Sequence, residues 1–309
     1  METAVIIISS VLGGLFLLYI VAIVSMYFFI YYSPYKKQLS DFNLLDSKNF
    51  KNYKQEIKDM ITYLMSLPYE DLYIDSFDKI KLHARLFENK STKKVAILCH
   101  GYRGTAYRDF SGGAREFVEM NYNVILIDER AHGLSKGHSI AFGIKETKDV
   151  LKWIEYAKER FGEDIELVLV GISMGGATVL NLADKVDENV KIIADCPYAS
   201  IKEMFLKDIE MLHLPKVILY PMLRLSALIF IHIDINKFDN YQTVRNRKSP
   251  ILIIHGTKDS VVPYWMSQKL SETYPNIIRY ELFEGAEHGV SYMIDKKRYQ
   301  RVVKDYLEK

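Results

Sequence analysis

A serine, a carboxylate and a histidine in the right order can make a nucleophile, and this chain offers such a set. Ser173 lies in Gly171-Ile172-Ser173-Met174-Gly175, with a further glycine at position 176. The apolar run "ELVLV" leads into it, and helix-compatible residues follow at once. The glycines on either side let an incoming strand and an outgoing helix approach closely around a strained turn. Strain of that kind costs about 1–3 kcal/mol and survives only where the fold enforces it. A serine hydroxyl is a weak nucleophile, so it needs a base and a group that orients the base. His288, in "FEGAEHG", and Asp259, in "ILIIHGTKDSVVP", each follow an apolar run. In that arrangement His288 takes the Ser173 proton and returns it to a leaving group. Asp259 holds the imidazole tautomer and supports the imidazolium. Asp195, after "KIIA", competes for the acid's place but reads as structural.

Attack on a carbonyl builds an oxyanion, which needs donors already in position. The Met174 amide, opening the helix after the serine, is one expected donor. The second is the Tyr102 amide in the loop His100-Gly101-Tyr102-Arg103-Gly104. His100 reads as a residue that fixes this loop. Asp128, Arg130 and His132 in "DERAHGLSKG" read as a buried network bracing the same region. His83, His138, His213, His232 and His255 have no ligand-type spacing. No H-E-x-x-H, C-x-x-C, P-loop or G-x-G-x-x-G motif occurs, so neither a metal nor a nucleotide cofactor is expected.

The elements that must hold these residues follow from hydropathy. Segments 94–101, 122–130, 166–173, 190–198, 250–259 and 277–285 are short, apolar and rich in β-branched residues, as buried parallel strands are. Helical patterns alternate with them at about 112–120, 146–160, 174–185 and 264–273, and a last one covers about 291–308. Strand-helix alternation implies a mostly parallel, doubly wound sheet. "EDLYIDSFDKIKLHARLFE" precedes it and reads as an antiparallel pair. Ligands of such sheets bind beyond the carboxyl ends of the strands, where Ser173, Asp259 and His288 all fall. Residues 201–246 lack a clear strand and are expected to form a helical cap insert, the expected site of substrate contacts. Within it, Val217–Ile233 is apolar, but Pro221, Arg224 and His232 argue against a second membrane span.

From Ala4 to Tyr32 there is no charged side chain. At about 1.5 Å per residue, a helix of that length crosses a hydrocarbon core of about 30 Å. The run is too long for a signal peptide and lacks basic residues before it, so an uncleaved anchor is expected. Tyr27, Tyr31, Tyr32 and Tyr35 suit an interfacial aromatic belt. Lys36, Lys37, Lys48, Lys51 and Lys54 follow the span, which by the positive-inside rule places the C-terminal part in the cytoplasm; a signal anchor with the domain outside is the alternative, since long domains translocate largely regardless of charge. The expected organisation is an anchor over 4–32, a linker with a short amphipathic helix over 33–66, and a domain over 67–309.

The 309 residues carry 41 basic and 39 acidic side chains, a balance that gives no case for nucleic acid. Cys99 and Cys196 sit in or beside apolar runs and read as buried free thiols. Taken together, "HGYRG", "DERAHGLSKG", "GISMGG", "DCPY", "HGTKDSVVP" and "GAEHG" resemble the α/β-hydrolase superfamily. The closest likeness is to membrane-anchored bacterial serine hydrolases of the α/β-hydrolase domain-containing and monoacylglycerol-lipase-like branches. The resemblance spans about residues 67–308. It implies the same roles for Ser173, Asp259, His288, Tyr102 and Met174, and hydrolysis of an ester, thioester or amide without a cofactor. A small-molecule or lipid ester is the expected substrate. Peptide cleavage and acyl transfer use the same triad, and a non-catalytic membrane binding protein is the alternative of a different class.

Overall fold

A computed structural model describes residues 1–33 and 50–308. Tyr35, Lys36, Lys37 and Lys48, named above for the belt and the charge bias, lie outside the described residues. The eight strands are β1 (Glu70–Asp75), β2 (Lys81–Phe87), β3 (Lys94–Cys99), β4 (Asn123–Asp128), β5 (Glu166–Ile172), β6 (Lys191–Asp195), β7 (Ile251–Gly256) and β8 (Ile278–Phe283). They form one sheet in the order β1-β2-β4-β3-β5-β6-β7-β8. β2 runs antiparallel to both β1 and β4, and every pair from β4 to β8 is parallel.

Both faces of the sheet are covered, so the central strands have no solvent side and read as continuous apolar runs. Alternate residues enter different cores. Val95, Ile97, Leu169, Ile192 and Ile253 join Trp153 and Leu270 on one face. Ala96, Leu98, Val168, Ile193 and Leu252 join Ile57, Ile61, Phe117 and Val303 on the other. Burying each large apolar side chain contributes about 1.5–3 kcal/mol. The amphipathic helix read before the domain is Lys54–Ser66, and it buries Ile57, Met60, Ile61 and Leu64.

The final helix differs from expectation. It breaks into Ser291–Ile294 and Lys296–Leu307, because the Asp295 carboxylate turns to cap the Arg298 amide at 3.0 Å. The helix after Ser173 is also shorter than its pattern suggests, ending at Leu180.

Between β6 and β7 the chain forms helices Ile201–Met211, Lys216–Phe230 and Asn240–Arg245, with no strand. The first two close a third apolar cluster that includes Phe142, Met174, Phe205, Leu223 and Tyr31. The cap therefore stands over the residue next to Ser173. The N-terminal helix Glu2–Met26 continues as a π turn, Tyr27–Tyr31. Among the described residues this is the one helix long and apolar enough to be a candidate membrane span. Residues 2–21 are exposed along it, whereas Ile23, Tyr31 and Ser33 are buried against the rest of the protein.

Candidate active site

Register alone sets the carboxyl ends of neighbouring strands side by side. Cys99 pairs with Gly171, Ile172 with Asp195, and Gly256 with Phe283. Ser173, Asp259 and His288 follow β5, β7 and β8 by one, three and five residues. All three are thereby delivered to one edge of the sheet.

Ser173 has φ 57° and ψ −116°, a left-handed backbone that a non-glycine residue enters only under constraint. The constraint is visible. The Ser173 amide donates to the Asp195 carbonyl at 2.8 Å. A side chain at Gly171 would run into the Gly175 carbonyl, and one at Gly175 into the Cys99 carbonyl. The glycines therefore exist for the close crossing of β5, β3 and the helix Met174–Leu180.

Three side chains form one hydrogen-bonded line. His288 Nε2 is 2.9 Å from Ser173 Oγ, and His288 Nδ1 is 2.7 Å from Asp259 Oδ2. The other Asp259 oxygen accepts the amides of Val261 and Val262 at 2.9 and 2.8 Å. Burial pushes the Asp259 carboxyl up, but hydrogen bonds from His255 and His288 and their charges outweigh it. The group stays well below the usual carboxylate range. Asp195 behaves differently. Burial, with the Asp259 charge adding to it, raises its carboxyl to about 6. Its side chain accepts from Ser291 Oγ at 3.4 Å and from the Tyr299 hydroxyl, while its backbone carbonyl anchors Ser173. Of the two strand-end acids, Asp259 is the one bonded to His288.

Spacing does not single out His255, yet it lies directly behind this line. It is fully buried, with Nε2 3.2 Å from Asp259 Oδ2 and 2.9 Å from the Val262 carbonyl, and Nδ1 2.8 Å from Ser267 Oγ. The signal available was its separation of four residues from Asp259 across the turn "HGTKD".

The loop 100–104 lies against Ser173: a Cβ on Gly101 would come within 3.2 Å of the Ser173 Cβ. Its backbone is held at several points. Asp109 Oδ2 accepts the Gly101 amide at 2.8 Å. His100 donates from Nδ1 to the Gly101 carbonyl at 2.9 Å and accepts the Glu129 amide on Nε2 at 3.0 Å. His132 donates from Nδ1 to the Arg130 carbonyl at 2.9 Å and accepts the Arg103 amide on Nε2 at 3.0 Å. Each imidazole thus uses one nitrogen as donor and one as acceptor, which requires the neutral form. Burial, reinforced by the neighbouring His100, brings His132 down to about 3, and burial lowers His100 as well.

The "DERAHGLSKG" network is a brace, as its pattern suggested. Asp128 holds His83 Nδ1 at 2.7 Å and the Leu134 amide at 2.9 Å. Arg130 makes a two-pronged pair with Asp149 at 2.6 and 2.7 Å and another with Asp78 at 3.1 Å each. Met174 is the first residue of its helix, where an amide has no intrahelical acceptor. Cys99 and Cys196 are free and buried, and burial raises both thiols well above their ordinary range.

One expectation fails here. Tyr31 does not stand in an aromatic belt: it is completely buried in the cap cluster, and its hydroxyl donates to the Leu223 carbonyl at 3.2 Å. Tyr27 stacks on Phe230 of the cap with ring centroids 4.7 Å apart. The end of this candidate membrane helix is therefore part of the folded domain's packing. Apolar periodicity could not reveal this, because lipid and protein core select the same residues.

The mostly parallel eight-stranded sheet, with its nucleophile-type elbow between β5 and the following helix, defines an α/β-hydrolase. Residues 90–249, more than half of the chain, match the model of the Hydrolase_4 family, described as serine aminopeptidase, S33, and the chain belongs to that family. It is similar to the Bacillus subtilis protein YqkD, with 24% identity over 70% of this chain and 72% of that one. It is also similar to a Saccharomyces cerevisiae membrane protein, with 26% identity over 78% and 80%. The lysophosphatidylserine lipase ABHD12 of Danio rerio is 27% identical over 59% of this chain, a stretch that covers 47% of that protein. Among solved structures, an esterase from Pyrococcus furiosus superposes with a TM-score of 0.63 at 23% identity, over 81% of this chain and 94% of the other. Est1E of Butyrivibrio proteoclasticus, solved with ferulic acid, gives 0.63 at 23% identity over 77% and 100%.

Proposed function

We propose that this α/β-hydrolase is a membrane-anchored serine enzyme that cleaves carboxylic esters through an acyl-enzyme. The observation that carries the reading is the continuous line from Ser173 Oγ through His288 to Asp259, at 2.9 and 2.7 Å. In the first half-reaction Ser173 Oγ attacks the ester carbonyl carbon and its proton passes to His288 Nε2. The carbonyl oxygen, now an oxyanion, is received by the amides of Met174 and Tyr102. Collapse breaks the bond to the alcohol, which leaves with the proton from His288. Water then attacks the acyl-serine carbonyl, giving its proton to His288 Nε2, and collapse breaks the bond to Ser173 Oγ, which takes that proton back as the acid leaves. Throughout, Asp259 remains ionised and holds Nδ1–H, in keeping with its lowered titration range.

The anchor is assigned to 4–32, the lead-in to 33–66 and the catalytic domain to 67–309, with the cap over about 201–246 supplying the substrate's contacts. Apolar cap residues such as Phe205 and Leu223 in one cluster with Met174 suit an acyl chain. The names lipase and esterase among the similar proteins support an ester over a peptide. The lysines that follow the span support a cytoplasmic domain; protease accessibility in intact cells tests this against a domain outside.

Ser173→Ala is expected to lower kcat on a p-nitrophenyl ester by roughly 10⁵-fold or more and to abolish labelling by a fluorophosphonate probe. Undiminished labelling of the variant would sink the assignment. Product analysis with matched ester and amide substrates, with and without an added alcohol acceptor, separates ester hydrolysis from peptide release and acyl transfer.

A further inference from the structure

The last carbonyls of a helix have no partner within it. At the end of the N-terminal helix the Tyr27 carbonyl still accepts the Tyr32 amide, and the hydrolase domain takes the carbonyls of Phe29, Ile30, Tyr31 and Tyr32. The Tyr102 hydroxyl donates to the Ile30 carbonyl at 2.8 Å. The Arg103 guanidinium donates to the Phe29 carbonyl at 2.7 Å and the Tyr32 carbonyl at 3.2 Å. The Ile140 amide donates to the Tyr31 carbonyl at 2.8 Å. Two of these donors are consecutive residues of the loop that lies against Ser173.

Arg103 has φ 49°, so its backbone is strained as that of Ser173 is. Strain persists where both ends of a residue are held. Its amide is held by His132 and its guanidinium by the anchor. The guanidinium also sits at the helix's carboxyl end, where the helix dipole favours a positive charge. A tether would need none of this.

The anchor itself divides in two. Residues 2–21 are exposed, and twenty residues of helix measure about 30 Å, one hydrocarbon core. Beyond them one face of the chain turns to the domain, with Ile23, Tyr31 and Ser33 buried while Phe28 and Phe29 stay exposed. The contacts to Tyr102 and Arg103 fall in this second part. Carbonyls left bare near the hydrocarbon boundary are unfavourable, so the latch forms when the helix is inserted.

We propose that the end of the membrane helix is a positioning element of the active site. The carbonyls of Phe29, Ile30 and Tyr32 latch the 100–104 loop through Tyr102 and Arg103, and so hold the Tyr102 amide where the oxyanion develops. This rests on the serine-hydrolase reading above. The Tyr102 and Arg103 side chains act through the loop backbone, not on the substrate. The membrane segment and the catalytic rate are thereby coupled.

The test uses the full-length protein in lipid nanodiscs. The substrate is p-nitrophenyl butyrate, a soluble ester that needs no route through the bilayer. A trifluoromethyl ketone, which forms a tetrahedral adduct, reports on the oxyanion donors. Tyr102→Phe removes one latch bond and keeps the amide; Arg103→Gln removes the others. The double variant is expected to lose about 10- to 30-fold in kcat, less than a full oxyanion donor contributes. Its KM should change less than about threefold, and the ketone should weaken by the same factor as kcat. Arg103→Lys, whose charge still reaches a carbonyl, should recover part of the loss. Wild-type kcat and ketone affinity in the double variant overturn the proposal. So does a rise in KM with kcat unchanged, or a lower melting temperature with no change in kcat below the melt. If the double variant does not fold, each single variant carries the same test at about threefold to tenfold. Ser173→Ala in the same discs separates the two readings. If it is inert while the latch variants match wild type, the serine reading stands and this one falls. If it still turns over ester, both fall.

Discussion

Ser173, Asp259 and His288 stand one, three and five residues beyond strands that pair in register, and their contacts are made within the sheet's own edge. The loop 100–104 is held in another way. It leaves β3 at once and is fastened by Asp109, by His132 from the 128–137 loop, and by a helix that lies more than seventy residues earlier in the chain. The proposed nucleophile, base and acid thus belong to a self-contained unit, whereas the proposed oxyanion side depends on distant segments docking correctly. Short connections from a rigid sheet leave few arrangements; a loop bridging separate elements is only as well placed as its fasteners.

Five substitutions test that contrast. On the sheet-bound side, Asp259→Asn keeps the shape but favours the wrong His288 tautomer. It is expected to lower kcat by about 10⁴-fold, or about 5.5 kcal/mol, with little change in KM. A loss under tenfold in steady-state kinetics would break the first half of the contrast.

Gly171→Ala comes next. The added methyl meets the Gly175 carbonyl, a backbone group that cannot rotate away. A destabilisation of about 4 kcal/mol or more is expected, seen as loss of folded protein or a steep fall in melting temperature. An unchanged melt would show that the elbow has slack.

On the docked side, Tyr31→Ala opens a cavity at a fully buried ring and is expected to cost about 3 kcal/mol. Tyr19→Ala, on the bare part of the same helix, should be nearly neutral. Thermal melts in nanodiscs compare the pair, and equal effects would erase the division of the N-terminal helix into two parts.

The smallest effect concerns pH. His132 titrates near 3 in the folded protein, against about 6.5 in an unfolded chain. Between those values the unfolded state binds the extra proton, so stability present above about pH 6.5 is lost as pH falls. His132→Gln keeps an acceptor for the Arg103 amide without the titration. Between pH 6.5 and 4.5 the wild type should lose about 2 kcal/mol more than the variant in denaturant unfolding. Parallel pH profiles would show that His132 is not held neutral.

Much of this was legible in the residues themselves. The alternation of Val95, Ala96, Ile97 and Leu98 between two buried faces is written as an unbroken apolar run, and the run is a strand. The crowding of Gly171, Ser173, Gly175 and Gly176 predicts a crossing where side chains do not fit, and the crossing is there. Asp259 and Asp195 were harder to rank, since both follow buried strands; which of them meets His288 depends on how two loops curl. The four-residue separation of His255 from Asp259 is the only hint in "HGTKD", and by itself it does not say whether the ring faces the acid or the core.

The sequence by itself determined the local matters: the elbow's glycines, the strands' two-sided burial, the cap's helices and an apolar segment long enough to span a bilayer. These depend on sterics and hydropathy between residues a few positions apart. Only the tertiary structure decided that Tyr31 belongs to the protein core and that Tyr102 and Arg103 grip the end of the N-terminal helix. The acceptors there are backbone carbonyls, which every residue carries alike. No choice of side chain at positions 29, 30 or 32 can announce such a contact.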